Sequence, residues 1–305
     1  MMILAFALFF SSGGQAAPVL HWKFDGVAGY AAMNLDTGQR VASHGDERFP
    51  MGSVFKFPTT IALLQRVDRG EFRLDQRVTI TPEEFSMGWS PIRDNAHGQS
   101  VTMTLRELLV FSLGQSDNSA VDKILSMIGG PEVVTQTLRT LGIKDIRVDR
   151  KENDFGRDAV ADMLAYSRDP RDTSTPNAMV DLLRLVYLRK EKLSPSSHNL
   201  MMTIMETSMT GPHRIREAMP AATIVAHKTG TMPGMSGFEV AESLKDDPAT
   251  ANIPILVLTS KDLSAADRRD LQTKVTSVVP KGKSARDQLL REIKRLQQRR
   301  LNATA

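Results

Sequence analysis

The sequence predicts an α+β or α/β fold, a sheet interrupted by a helical domain, with a segment of a different kind after it. Three observations predict it. Strand-like apolar stretches stand at 27–42 and again at 221–226, and a long block of helix-period sequence lies between them. No internal repeat and no long low-complexity linker divides the chain. Beyond Thr231 short strand-like and helix-like stretches alternate, as in part of a doubly wound sheet.

The elements follow in order. MMILAFALFF, then SSGGQAAP, reads as the apolar region and small-residue cleavage site of a secretory signal over residues 1–17, cut after Ala16 or Ala17. The run is too short to span a bilayer. Residues 27–42 alternate around a polar turn at Asp36-Thr37-Gly38 and read as a β-hairpin. Helical periodicity marks 53–70, 104–112, 119–129, 131–141, 176–189 and 195–208, and Gly129-Gly130-Pro131 stops one helix and starts the next. Ala221–Ala226 reads as a strand leading into HKTGT. After it, 235–245 and 264–272 read as helices and IPILVLTS as a strand buried on both faces. VTSVV reads as a further strand, and 284–298 as an amphipathic helix with Leu289, Leu290, Ile293 and Leu296 on one stripe.

Composition excludes several function classes. Hydrophobic residues at 41% and charged residues at 24% exclude wholesale disorder. The absence of cysteine excludes a disulfide scaffold, thiolate zinc, iron–sulfur clusters and a cysteine nucleophile. None of the six histidines forms an HxH or HExxH pair, so no local metal site and no cofactor is expected. Net charge is +4, but from Lys281 onward eight Lys/Arg oppose only Asp287 and Glu292, leaving −2 for the first 280 residues. The basicity belongs to a tail, read as a solvated helix face rather than a nucleic-acid or membrane surface.

Three short clusters can carry chemistry. In Ser53-Val54-Phe55-Lys56 the i and i+3 positions share a helix face, so the amine reaches the hydroxyl and, when neutral, takes its proton. The helix N-terminus adds a backbone N–H for an oxyanion. Ser116-Asp117-Asn118 lies between two helical stretches and offers a second hydroxyl for proton relay and an amide for a substrate carbonyl. Lys228-Thr229-Gly230-Thr231 suits an anionic carboxylate and close backbone approach. Each alone also reads as a helix cap or a solvated lysine. Together, in this order, they are the motif set of penicillin-recognising serine enzymes.

From about Gly29 to Thr231 the chain closely resembles class A serine β-lactamases, through RFPMGSVFKFP, TLRELLVFSLGQSDNSA, GGPEVVTQTLRTLG, RDTSTPNAM, LSPSSHNL, TGPHRIREAMP and VAHKTGT. The resemblance implies a serine β-lactamase/penicillin-binding-like α/β (α+β) sheet with an all-α domain inserted. It implies Ser53 as the acylated nucleophile, Lys56 as its proton partner and Ser116 as proton donor to the β-lactam nitrogen. Asn118 would hold the substrate's side-chain amide, Lys228 and Thr229 its carboxylate, and the N–H groups of Ser53 and Thr231 the oxyanion, with Gly230 between. Trp89 falls where the family often has an aromatic wall. In Asp149-Arg150-Lys151-Glu152 the family's Arg-x-Glu motif makes Glu152 the base for deacylation, with Arg150 paired to Asp172. Two departures stand out. Gly156 replaces a water-sharing asparagine, and the 152–172 loop is longer than usual; both point to slow deacylation.

After Thr231 the class A pattern does not continue, so the sheet lacks its last strands and helix. MPGMSGFEVAESLKDDPATANIPILVLTSKD and VVPKGKSARDQLLREI resemble the second half of a response-regulator receiver domain of flavodoxin-like fold, with Thr259 as its switch hydroxyl and Lys281 as its phosphate-pairing lysine. The acceptor aspartate would stand at position 229, which is threonine, so phosphotransfer is not expected. The domains are thus a signal (1–17), a β-lactamase-like region (18–231) and a partial receiver-like segment (232–305). The run 253–259 and the helix 284–298 have the length and apolarity to fill the vacant places, which predicts pairing of 253–259 with 222–229 or 28–35. The expected function is hydrolysis of the β-lactam amide by a periplasmic or secreted monomer. It needs a small-molecule β-lactam, no cofactor, no metal, no nucleic acid and no membrane insertion after signal cleavage. The alternatives are a penicillin-binding DD-peptidase and a non-functional fusion with a receiver fragment.

Overall fold

The computed structural model describes residues 3–6, 29–161, 169–211, 224–230, 256–259 and 277–280. Thr231, the helices expected at 235–245, 264–272 and 284–298, the basic tail and most of the signal segment lie outside the described residues. The chain divides into two units, Met2–Gly14 with Gly29–Pro233, and Gly234–Ala305 with Met1 and Gln15–Ala28. Each is described by itself.

In the first unit β1 (Ile3–Phe6) pairs in parallel with β2 (Gly29–Met33), which pairs antiparallel with β3 (Arg40–Ser43). The β2–β3 pair is the hairpin expected at 27–42. Its turn forms as Asn34 Oδ1 accepts the N–H groups of Asp36 and Thr37, the side-chain bonding that suits asparagine to turns. Four residues of the segment read as a signal thus form a strand at the sheet edge.

The helical block holds α1 (Lys56–Asp68), α2 (Pro91–Ala96), α3 (Leu105–Leu109), α4 (Asn118–Met127), α5 (Pro131–Thr140), α6 (Glu152–Ala161), α7 (Pro176–Tyr187) and α8 (Pro195–Glu206). Helix α1 is its axis. Lys56 through Leu64 are all buried, and Ile61, Leu63 and Leu64 pack in one core with Leu108, Leu109, Val121, Ile124 and Leu125. Threonines inside such a helix need partners; Thr59 and Thr60 donate back to the carbonyls of Phe55 and Lys56 at 2.9 Å. Two pairings were not apparent from pattern alone: β4 (Phe49–Pro50) with β7 (Thr173–Ser174), and β5 (Arg77–Ile80) with β6 (Val101–Thr104).

Two expectations are corrected. Ala221–Ala226 was expected as a strand, but its described part, 224–226, forms none. The neighbouring His227 N–H donates to Met205 O at the end of α8 rather than to a strand. In the second unit β8 (Leu256–Thr259) pairs in parallel with β9 (Ser277–Pro280) in a separate two-stranded sheet. That partner is β9 rather than 28–35 or 222–229, the pairing expected for 253–259; residues 253–255 and the helix expected at 284–298 lie outside the described residues. A run apolar on both faces suits parallel pairing better than an edge of a half-covered sheet.

Candidate active site

Ser53 lies in a 3₁₀ turn, Gly52–Phe55, that runs straight into α1. Lys56, the first residue of α1, is fully buried, and its Nζ lies 2.8 Å from Ser53 Oγ. It also lies 2.8 Å from Ser116 O, 2.7 Å from Asn118 Oδ1 and 2.8 Å from Glu152 Oε1. An ammonium has three N–H bonds, so it cannot donate to four partners at once. With three spent on the two carbonyl oxygens and the carboxylate, the Ser53 hydroxyl donates to Glu152 Oε1 at 3.1 Å. With the amine neutral, it is free to accept the serine proton. Glu152 is 4% exposed; burying both ions is tolerated because they pair and are further hydrogen-bonded.

Ser116 is presented by strained backbone. A π-helical turn, Val110–Gly114, precedes it, and Ser116 itself has φ +62°. Non-glycine residues hold that conformation uncommonly. Its carbonyl meets Lys56 and its hydroxyl accepts from Lys228 Nζ at 2.8 Å, so Ser116 bridges the two lysines. Asp117 caps α4, accepting from Ala120 N–H at 2.8 Å and from Ile92 N–H at 2.7 Å. Burial pushes its carboxyl above the usual range. Asn118 has both ends of its amide engaged, Oδ1 by Lys56 and Nδ2 by donation to Met87 O at 2.9 Å, with the second N–H of Nδ2 left for a ligand.

On the other side, Lys228 and Thr229 meet the serine through Ser116 and through Gly230. A Cβ on Gly230 would meet Met51 O at 2.5 Å and Val54 Cγ2 at 3.1 Å, so only glycine lets this backbone pass the turn that carries Ser53. Thr229 Oγ1 donates to Thr210 Oγ1 at 3.3 Å. Trp89 stands at the rim, 61% exposed, with its indole N–H donated to Gln115 O at 2.9 Å and its carbonyl accepting Asn118 N–H.

The Glu152 loop is closed as expected. Arg150 Nε meets Asp172 Oδ2 at 2.6 Å. The clasp is larger than the sequence indicated. Arg150 also reaches Asp158 and Asp169, and Arg171 pairs with the same two carboxylates. Hydrogen bonding from Arg171 holds the Asp169 carboxyl down to about 2, whereas burial pushes Asp172 up. Asp172 O accepts Met51 N–H, tying the loop to the serine turn.

So the structure brings Ser53, Lys56, Ser116, Asn118, Glu152, Lys228, Thr229 and Gly230 together, with Trp89 at the rim, while Thr231 lies outside the described residues. Sequence reasoning missed Asp122, whose carboxylate accepts the N–H groups of Glu152 and Asn153 at 2.7 and 3.0 Å. The signal available was spacing: Asp122 follows Asn118 by four residues and shares its helix face. Among the described residues no group of three His, Asp or Glu is arranged to hold a metal, and no helix is long and apolar enough to cross a membrane.

Comparison with known proteins supplies the family. The model of the β-lactamase enzyme family matches residues 16–279. The chain is 32% identical over 215 residues to β-lactamase VEB-1 of Pseudomonas aeruginosa, covering 70% of this chain and 69% of that protein. It is 30% identical over 269 residues to β-lactamase CTX-M-97 of Escherichia coli, covering 88% of each. Among solved structures, a β-lactamase from Chitinophaga pinensis superposes with TM-score 0.61 at 35% identity, over 68% of this chain and 74% of that one. An ancestral Gram-negative class A β-lactamase gives TM-score 0.59 at 36% identity, over 67% and 74%. The family match runs past residue 231, where the sequence pattern was expected to stop. The chain belongs to the β-lactamase enzyme family, as a class A serine enzyme that hydrolyses β-lactams.

Proposed function

We propose that hydrolysis runs through an acyl-enzyme on Ser53. The observation that carries this reading is the convergence of Lys56 Nζ (2.8 Å) and Glu152 Oε1 (3.1 Å) on Ser53 Oγ, with Ser116 linking Lys56 to Lys228. In acylation Lys56 passes its ammonium proton to Glu152, Ser53 Oγ adds to the β-lactam carbonyl as its own proton goes to the neutral Lys56 amine, and Glu152 returns the first proton to Lys56 before deacylation. The C–N bond breaks as Ser116 gives its proton to the nitrogen, and Lys56 reprotonates Ser116. Lys228 and Thr229 take the substrate carboxylate, the backbone N–H groups of Ser53 and Thr231 take the oxyanion, and Asn118 takes the side-chain amide. Trp89 forms an aromatic wall. In deacylation Glu152 removes a proton from water, the hydroxide adds to the ester carbonyl, and Ser53 leaves with the proton returned from Glu152. Glu152 within reach of Ser53 favours this over a DD-peptidase, which has no dedicated base for that water.

The test is a chromogenic cephalosporin with intact-mass detection. Turnover together with a transient adduct on Ser53 is the expected result. A folded protein that neither turns over nor forms an adduct overturns the reading.

We also propose that residues 1–17 are a signal directing a monomeric enzyme to the periplasm or beyond, and that 232–305 derive from a receiver domain unable to accept phosphate. The start of the family match at residue 16 supports the first. The parallel pairing of β8 with β9, and threonine at position 229, support the second.

A further inference from the structure

His227 stands directly before Lys228 and is the one buried residue of the stretch 224–230, at 4% exposed. The acyl-transfer steps do not use it. Its main chain and its ring grip two different places. The backbone N–H donates to Met205 O at 3.2 Å, in the last turn of α8. Ring Nε2 lies 3.0 Å from Thr210 O. A carbonyl oxygen only accepts, so the ring proton belongs on Nε2. Nδ1 is buried and has no hydrogen-bond partner among the described residues. A proton there would be a buried N–H with nothing to accept it. The surroundings thus select one tautomer and leave the ring a single polar task, holding Thr210.

Thr210 passes that hold on. Its hydroxyl accepts from Thr229 Oγ1 at 3.3 Å and lies 3.3 Å from Ser208 Oγ. Ser208 donates to Gly114 O at 3.2 Å. Contacts of this length are long for O–H···O and fix little by themselves. Neither 207–210 nor 224–230 is helix or strand, so no ladder of backbone bonds sets the spacing between them. The imidazole bond is the shortest of the contacts that do. Next to it Lys228 Nζ donates to Ser116 Oγ at 2.8 Å and to Thr229 O at 2.6 Å, so the reach of the amine depends on where the backbone at 227–229 lies.

We propose that His227 is a positioning residue for the carboxylate end of the substrate: by fixing Thr210 against 227–229 it sets Lys228 and Thr229, and it acts on substrate capture rather than on proton transfer at Ser53. The proposal rests on the reading of Lys228 and Thr229 as the groups that take the substrate carboxylate. Lys56 and Glu152 lie on the opposite wall, and no described hydrogen bond or ion pair joins His227 to either. A displaced Lys228 or Thr229 weakens charge-assisted bonds to the incoming anion. The ester on Ser53, once formed, still faces Glu152.

The experiment compares full-length wild type, His227→Ala and His227→Gln. Steady-state turnover of a chromogenic cephalosporin gives kcat and KM, and rapid quench with intact mass follows decay of the Ser53 adduct. For His227→Ala, kcat/KM should fall about tenfold through a raised KM, with adduct decay within about twofold of wild type. Glutamine places an amide N–H about as far from the backbone as Nε2, so His227→Gln should recover most of the loss. A merely structural role would lower the active fraction, so that kcat and kcat/KM fall together at constant KM. That result, or glutamine behaving as alanine, overturns the proposal. Unchanged kcat/KM in His227→Ala overturns it while leaving the acyl-enzyme reading intact. If His227→Ala does not fold, nitrogen NMR of labelled histidine in the wild type decides. A slowly exchanging proton on Nε2 supports the proposal, and a proton on Nδ1 alone or rapid exchange at Nε2 overturns it. Absence of a Ser53 adduct in all three proteins overturns both readings.

Discussion

The two walls of the site are built differently. The wall made by α1, α4 and α6 is embedded in the core: Lys56, Asp117 and Glu152 are almost completely buried, and each polar atom that sets the serine is held by several partners. The facing wall, 224–230, carries no strand; in it Lys228 donates to Ser116, His227 N–H donates to Met205 O while its ring meets Thr210 O, and Gly230 lies against Met51. Proton transfer needs placement within a few tenths of an ångström, and the packed wall supplies it. Anion binding tolerates more play, because charge attraction falls off slowly with distance.

The largest expected effect tests the packed wall directly. Glu152→Gln keeps the shape but removes the base, so the Ser53 adduct should persist, with decay slowed by about 10²–10⁴-fold; an adduct lost at the wild-type rate would move the base elsewhere. Next, Leu64→Ala should destabilise the protein by about 2–5 kcal/mol, since Leu64 is fully buried in α1. Activity should then fall only in step with unfolding, which denaturant titration beside turnover would show.

A substitution on the facing wall should do the reverse. Gly230→Ala brings a Cβ to 2.5 Å from Met51 O, so the 224–230 backbone must move away from the turn that carries Ser53. With that movement confined to the facing wall, kcat/KM should drop on the order of 10–100-fold while the melting midpoint barely moves. A large loss of stability would show that 224–230 supports the core after all. The smallest effect concerns Gly156. It lies inside α6, and a Cβ there would meet only Met87 Cβ at 4.0 Å. Gly156→Ala should therefore stabilise by about 0.5–1 kcal/mol without changing the rate of adduct formation.

The same contrast explains what the sequence disclosed. The packed wall was legible because it rests on local rules. Helical periodicity located α1, α4, α5, α7 and α8, and the three-residue step from Ser53 to Lys56 placed amine and hydroxyl together. Helix α6 was missed because its sequence, ENDFGRDAVA, is polar and carries a central glycine; its start is fixed from outside by Asp122. The hairpin of β5 and β6 was hidden because α2 and a turn lie between its strands. The strand expected at 221–226 followed from an apolar run, but an apolar run does not by itself make a strand, and 224–226 forms none. The placing of β8 failed for the same reason, because length and apolarity do not choose a partner.

The wide turn at Val110–Gly114 has a consequence for what this gene can lose. A π-turn is a helical segment carrying one residue more than it needs. Removing any single codon there would let the segment relax into an ordinary helix. It would also rotate the following chain by about 100° and swing the Ser116 hydroxyl away from both amines. The second hydroxyl is thus held in place by a surplus residue, and single-residue deletions across this turn should abolish turnover and also cost stability, because the same rotation displaces the buried Val121, Ile124 and Leu125 of α4.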